Sequence, residues 1–255
     1  MAWVTWRHHR IALGGVAIFL GGLTVWIWIA GLQLHHAYAA AIACHPELST
    51  ACMGLILNFH LSSDALKTGF PLQPVPALIG AFVGAPLLAG ELESGTFRYA
   101  WTQGFERWRW TLAKLVMLAA GVAVMAGAFT VVLSWYYQPY FAAGNGAQLP
   151  SASPLSPGLF DLRGPAFAAW TLAAFAIGAL AGKLTRRVVP AIVATLAGYT
   201  TLALVAGIVT GLTPWSDHHP ASHFWPLQWI EASCLLAVSA LLVGVTVWLV
   251  HRRAV

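Results

Sequence analysis

Residues 11–34 read IALGGVAIFLGGLTVWIWIAGLQL, and no charged side chain interrupts this apolar stretch. An α-helix that crosses the hydrocarbon core of a bilayer needs about 20 consecutive apolar residues. The stretch is too long for the core of a secretory signal peptide, and no convincing small-residue cleavage site follows it. We therefore predict that residues 11–34 form a retained membrane-spanning helix.

Five more apolar runs follow, at residues 72–89, 110–135, 165–181, 188–212 and 229–250. The chain is 59% hydrophobic and 8% charged, and its mean hydropathy is +0.73. A soluble domain carries nearer a quarter charged residues, so lipid must cover much of this chain. Because backbone polar groups in lipid must be paired within their own segment, the runs favour helices. The sequence predicts an all-α integral membrane protein with about six transmembrane helices in one domain, residues 1–255.

Basic residues indicate the orientation of these spans. If the N-terminus is inside, Lys67 and Arg163 fall outside, and the other eleven of the 13 lysines and arginines fall inside. Cytoplasmic loops of membrane proteins carry this kind of basic excess. We predict that both termini are cytoplasmic, with the chain in the plasma membrane. The net charge of +5 then faces the anionic inner leaflet of the lipid bilayer and predicts no nucleic-acid partner.

The segment between the second and third spans, residues 90–104, is the most informative cytoplasmic part. It reads GELESGTFRYAWTQG, with Glu91 and Glu93 ahead of Arg98. Acids in the first turn of a helix interact favourably with its dipole, so we predict a short surface helix that these two acids open. From composition alone, a solvated interfacial helix and an element that docks to a partner are equally good interpretations.

Residues 85–114 combine an acid-rich Gly-Thr turn, an Arg-x-x-Trp-Thr-Gln pattern and an Arg-x-Arg-Trp entry to the third span. The residues in these motifs are Glu91, Glu93, Gly95, Thr96, Arg98, Trp101, Thr102, Gln103, Arg107, Arg109, Trp110 and Lys114. Shorter motifs occur in order at residues 5–10, 160–165, 178–191 and 224–231. Together they resemble the permease subunits of type-2 ABC exporters from high-GC bacteria, over most of the chain outside the outer loops.

The resemblance implies that segment 90–104 is a coupling helix, which sits in a groove of a separate ABC ATPase subunit. It also implies an assembly of two permeases and two ATPases that exports a substrate, and a lipophilic or drug-like cargo is our hypothesis. The implied coupling residues are Glu91, Glu93, Gly95, Thr96, Arg98, Trp101, Gln103 and Arg107.

No cofactor is predicted for this chain, since ATP and Mg would be bound by the partner ATPase. Residues 178–184 have the wrong spacing for a phosphate-binding loop and lack its final Ser or Thr. The chain is therefore predicted to be a transport subunit and not an enzyme.

Four further residues are singled out near the predicted outer face. Gln228 and Glu231 lie at the start of the sixth span, where a gate or helix-docking role competes with simple hydrogen bonding at the interface. Cys44 and Cys52 share one outer loop, and a disulfide between them is predicted as one of two even alternatives. No metal site is predicted, although Asp217, His219 and His223 are a weak candidate set.

Two other classes of function were weighed against transport. An intramembrane protease is a poor interpretation, because no predicted span holds a central histidine or a suitable serine nucleophile. A membrane sensor or assembly protein without transport activity is the alternative that the residues leave open.

Overall fold

The computed structural model describes residues 2–44, 49–63, 70–94, 107–142, 157–212 and 224–252. Helices and short turns make up these ranges, and no β-strand occurs within them. Six of the helices are long and apolar enough to cross a membrane. The predicted all-α membrane fold with six spans is therefore confirmed.

The six spans are numbered in chain order. Span 2 is a composite of Val75–Ile79, Gly80–Gly84 and Ala85–Ser94, and the helices of spans 1, 3, 4, 5 and 6 are Ala2–Ile42, Arg107–Tyr136, Gly164–Thr185, Val188–Leu212 and Phe224–Arg252. Shorter elements in the connections are Thr50–Ser63, Phe70–Leu72, Gln138–Ala142 and Pro157–Phe160. Several helices extend beyond the predicted apolar runs, because a helix continues until its backbone is capped or broken, not until its side chains become polar.

We name the two ends of the bundle after their acidic residues. At the Glu91 end, spans 3 and 5 begin and spans 2, 4 and 6 end. At the Glu231 end, spans 4 and 6 begin and span 3 ends. The functional side chains described below belong to one or the other of these two ends.

Span 4 is the centre of the packing, and it contacts spans 2, 3, 5 and 6. Its buried face is made largely of alanine and glycine, including Ala169, Ala173 and Gly178. Small side chains let membrane helices approach closely, which compensates for the weak hydrophobic drive between helices in lipid. Span 5, in contrast to span 4, has apolar side chains that point away from the bundle. Val189, for example, is 72% exposed.

Span 2 crosses span 4 with an irregular backbone. Its middle, Gly80–Gly84, is a turn of π-helix between two α-helical pieces. A Cβ atom on Gly80 would lie 2.5 Å from the backbone of Ala174, and one on Gly178 would lie 2.5 Å from the carbonyl oxygen of Gly80. Glycine is therefore required at this crossing, since any side chain would push the two backbones apart.

Cys44 and Cys52, for which the sequence leaves pairing as one of two even alternatives, are joined by a disulfide across Cα atoms 5.7 Å apart. The bond connects the end of span 1 to the first turn of Thr50–Ser63. Phe59 of this short helix is fully buried, and its ring packs on those of Tyr38 and Tyr140. The disulfide and the aromatic contacts together hold the short helix against span 1 and the short helix Gln138–Ala142.

Candidate functional site

The predicted coupling segment begins on the last turn of span 2. The helix Ala85–Ser94 runs unbroken through Glu91 and Glu93, so neither acid opens a separate helix. The predicted dipole contact is therefore wrong, because Gly90 accepts helical geometry and does not end the span. Near a helix C-terminus a carboxylate is disfavoured by the dipole, so both acids need partners elsewhere.

Most of the other predicted coupling residues lie outside the described residues, namely Gly95, Thr96, Arg98, Trp101 and Gln103. Arg107 is the first residue of the helix of span 3. At the Glu91 end, the contacts that the structure describes for the predicted coupling side chains are therefore those of Glu91 and Glu93.

Glu91 pairs with a lysine on the neighbouring span. Its Oε1 atom accepts a short hydrogen bond from Nζ of Lys114, whose side chain is only 2% exposed. The same ammonium group makes a long 3.4 Å contact with the carbonyl oxygen of Leu87 and lies 5.0 Å from the ring centroid of Trp110. A buried ammonium needs such partners, because removal from water is costly for an unpaired charge.

Glu93 reaches across to span 5. Its Oε2 atom accepts a 3.0 Å hydrogen bond from the backbone N–H of Val188, the first residue of that helix. The first N–H groups of a helix have no partner within the helix, so Glu93 supplies the cap that a local side chain usually provides. Spans 2 and 5 also touch beneath this bond through Ala85, Ala89 and Ala191.

A small cavity of about 20 Å³ lies beside these ties. Its walls come from spans 2, 3, 4 and 6, and they include Glu91, Thr111, Lys183 and Val250. The volume suits about one water molecule and is far below that of a pocket for an organic ligand. The cavity marks the point where four spans converge on Glu91, and it is not a substrate chamber.

At the Glu231 end, Gln228 fixes span 6 to the start of span 4. Its side chain is fully buried, its Nε2 donates to the carbonyl oxygen of Phe160 at 2.6 Å, and its Oε1 accepts from the N–H of Ala166 at 3.2 Å. Gly164 has φ of 60°, a left-handed value that favours glycine, and a Cβ atom there would lie 3.0 Å from Oε1 of Gln228. Gln228 thus docks one helix on another, one of the two roles weighed for it from sequence.

Glu231 lies one turn further along span 6 in an acidic pair. Its Oε1 accepts a 2.7 Å hydrogen bond from Nε1 of Trp170 on span 4. Its carboxyl group also lies beside that of Asp161, in the turn before span 4. Burial raises the pKa of Asp161, and the neighbouring Glu231 raises it further, to about 7. Two carboxyl groups stay in contact most readily when they share one proton.

Arg163 lies near this pair in the same turn and is held by aromatic rings. Its guanidinium carbon is 4.2 Å from the ring centroid of Phe141 and 5.0 Å from that of Phe224. Burial lowers the pKa of Arg163, but a guanidinium group stays charged at physiological pH. The stacked cation links the chain that leaves span 3 to the starts of spans 4 and 6.

Two residues that contact the predicted acids, one at each end of the bundle, were not predicted as site residues from the sequence. Lys114 and Asp161 were noticed only as members of matching motifs, although each pairs with a predicted acid. A lysine four residues after Trp110, inside an apolar run, could have signalled a buried pair, since charges in such runs need partners.

The described residues contain no group of three or more histidine, cysteine or acidic side chains that could hold a metal ion. Asp217, His219 and His223, the weak candidate set from sequence, lie outside the described residues.

A bundle of six apolar helices with polar ties at both ends is the architecture of a multi-pass membrane protein. Residues 17–212 match the family model described as "ABC-2 membrane transporter related", and the chain belongs to this family. The match includes both acids of the Glu91 end and Asp161, and it stops before span 6. No curated protein and no solved structure matches the chain. The predicted resemblance to ABC-2 type permeases is therefore confirmed at the level of the family, and the chain is a membrane transport component.

Proposed function

We propose that this chain is the membrane-spanning subunit of an ATP-driven exporter in the plasma membrane. A separate ABC ATPase binds ATP and Mg and docks at the Glu91 end, on segment 90–104. The observation that carries this proposal is the pair of polar ties from the last turn of span 2 to spans 3 and 5. A push on the following segment would reach three spans at once, which is what transmission into the membrane requires.

The coupling element in this proposal comprises the residues predicted from sequence, Glu91, Glu93, Gly95, Thr96, Arg98, Trp101, Gln103 and Arg107. Both termini and the Glu91 end face the cytoplasm. Basic residues support this orientation, because Lys114, Lys183, Arg186, Arg187 and Arg252 lie at the Glu91 end, whereas Arg163 lies at the opposite end.

The substrate path in this proposal forms between two copies of the chain within an assembly of two permeases and two ATPases. The 20 Å³ cavity at the Glu91 end is too small to hold a cargo molecule. Span 5 offers a long apolar face, with Val193, Leu204 and Ile208 each more than half exposed. A lipophilic or drug-like cargo fits such surfaces, since apolar walls favour apolar ligands.

The first test is the sidedness of the two ends. Single cysteines would be placed at Arg187, at the Glu91 end, and at Gln138, at the Glu231 end, in a Cys234→Ala background; both side chains are exposed. In intact cells an impermeant maleimide should label Gln138→Cys, and Arg187→Cys should react only after permeabilisation. The reverse pattern would overturn the orientation and the cytoplasmic docking of an ATPase.

The second test is the partner. The full chain purified in mild detergent from its own membranes should carry a stoichiometric protein with a nucleotide-binding motif. Purification of the intact chain without any such ATPase would favour the alternative, a membrane sensor or assembly protein.

A further inference from the structure

The two acids of the coupling segment turn toward the permease itself. The Glu91 side chain is 20% exposed and meets Lys114 of span 3, while Glu93 accepts the N–H of Val188 of span 5. The Glu93 side chain is exposed, yet one of its carboxylate oxygens accepts the backbone N–H at the start of span 5. Each acid therefore makes a contact within this chain.

The two ties differ in chemistry. Glu91 and Lys114 form an ion pair in which the cation is almost completely buried, so loss of the Glu91 charge removes the anion that pairs with a buried ammonium group. Glu93 serves as a hydrogen-bond acceptor for a backbone N–H, a role that a neutral amide oxygen also fills. Charge is thus required at position 91, and an acceptor oxygen is sufficient at position 93.

We propose that Glu91 and Glu93 act as positioning residues, which pass movement of the coupling segment to span 3 through Lys114 and to span 5 through the N–H of Val188. This inference rests on the proposed function, since it needs an ATPase that moves the segment. It assigns Lys114 a role in the conformational cycle and assigns both carboxylates to contacts within the permease, not to the ATPase interface.

The experiment uses the complete complex with its ATPase and a reporter far from the ties. Gln138→Cys at the Glu231 end of span 3 is exposed, and the Cys234→Ala background leaves the disulfide-bonded Cys44 and Cys52 as the other cysteines. The measured quantity is the ratio of maleimide labelling rates with ATP, Mg and vanadate and without nucleotide. The wild-type reporter should show a ratio that differs from one by about fivefold or more, as is typical for two coupled sites.

For the ion pair, Lys114→Met and Glu91→Lys should retain the bound ATPase and bring the ratio to about one, which means no coupling. The charge swap Glu91→Lys with Lys114→Glu should restore most of the ratio, and it remains decisive if a single variant fails to insert. Arg109→Met is the matched control, because Arg109 is an exposed base on the same helix. An unchanged ratio in Lys114→Met, with ATPase bound, would overturn the inference and leave the proposed function intact.

For Glu93, the amide and alanine variants separate the two roles. Glu93→Gln keeps the acceptor oxygen for Val188 and should behave as wild type, whereas Glu93→Ala should weaken the nucleotide response of a second reporter, Thr201→Cys, on the exposed face of span 5. Loss of the ATPase from Glu93→Gln would show that the negative charge contacts the ATPase, and the internal role would then be refuted. Absence of an ATPase from the wild-type complex would instead defeat the proposed function itself.

Discussion

The two ends of the bundle hold their helices together with partly buried acids that have opposite kinds of partner. At the Glu91 end the partner of the acid is a cation, Lys114, so the pair is stable with both groups charged. At the Glu231 end the partner is a second acid, Asp161, and the contact favours a shared proton. One end is therefore held by an ion pair, and the other by two carboxyl groups that share a proton.

Both ends also use one span to cap the helix of another. Glu93 accepts the N–H of Val188 at one end, and Gln228 accepts the N–H of Ala166 at the other. In both cases the capped helix begins directly after a short turn with no local side-chain cap described. Remote caps make the position of one span depend on that of another, which suits a protein whose spans move as units.

The largest expected effect concerns the charge pair. Lys114→Met should lower the free energy of unfolding by about 3 kcal/mol, because it removes the cation that pairs with the partly buried Glu91. The measurement is thermal unfolding of the purified chain in detergent, with the exposed Arg109→Met as the control. A loss no larger than that of the control would show that the Glu91 end is not tied by charge.

Gln228→Leu should have the next largest effect, about 2 kcal/mol, because it removes a hydrogen bond to the carbonyl oxygen of Phe160 and leaves the N–H of Ala166 buried without its partner. The same unfolding assay applies, and Ser233→Ala, at an exposed position of span 6, is the control. Stability equal to that of the control would mean that span 6 docks on span 4 through apolar contacts alone.

The acid pair should make the Glu231 end sensitive to pH. Asp161 has a pKa of about 7 in the folded chain against an ordinary value of 3.8, so the folded state binds more protons between these values. The free energy of unfolding should therefore fall as pH rises from about 4 to about 7. We expect a total change of about 1–2 kcal/mol over this pH range. A shift of one pKa unit corresponds to about 1.4 kcal/mol, and we expect less than that for each unit because Asp161 is only partly enclosed.

Asp161→Asn tests this pH dependence, because the amide does not titrate and can still donate a hydrogen bond to Glu231. Its unfolding temperature should vary less with pH than that of the wild type, and Ser233→Asn on span 6 is the control. A variant that retains the full wild-type slope would show that Asp161 does not hold the proton.

The smallest expected effect is that of Glu93→Ala, about 1 kcal/mol, the usual cost of a lost helix cap. Glu93→Gln should recover most of this loss, since the amide oxygen also accepts the N–H of Val188. If Gln and Ala were equally destabilising, the charge of Glu93 would matter more than its acceptor oxygen.

Local sequence was sufficient for much of the fold. The six spans follow from runs of apolar residues, because each membrane helix must satisfy its own backbone and cover its own length of lipid. The Cys44–Cys52 pair could be anticipated because only eight positions separate the two cysteines. The family could also be identified, because its short motifs occur in a fixed order along the chain.

Sequence reasoning was less successful where a helix ends or where two helices meet. It placed Glu91 and Glu93 at the start of a new helix, whereas they lie in the last turn of span 2. It also passed over Lys114 and Asp161 as pairing residues. These contacts depend on the rotation of one helix against another, which a hydropathy pattern does not specify.

By itself, the sequence determined the number of spans, the all-α class and the family, because these follow from local apolar length and from short ordered motifs. The tertiary structure alone decided which polar groups meet. Glu91 finds Lys114 across 23 positions, and Glu93 finds Val188 across 95, because the close packing of span 4 against spans 2, 3 and 5 brings their ends together. A buried polar group is stable only with a partner in reach, and the packing of the helices determines which partner that is.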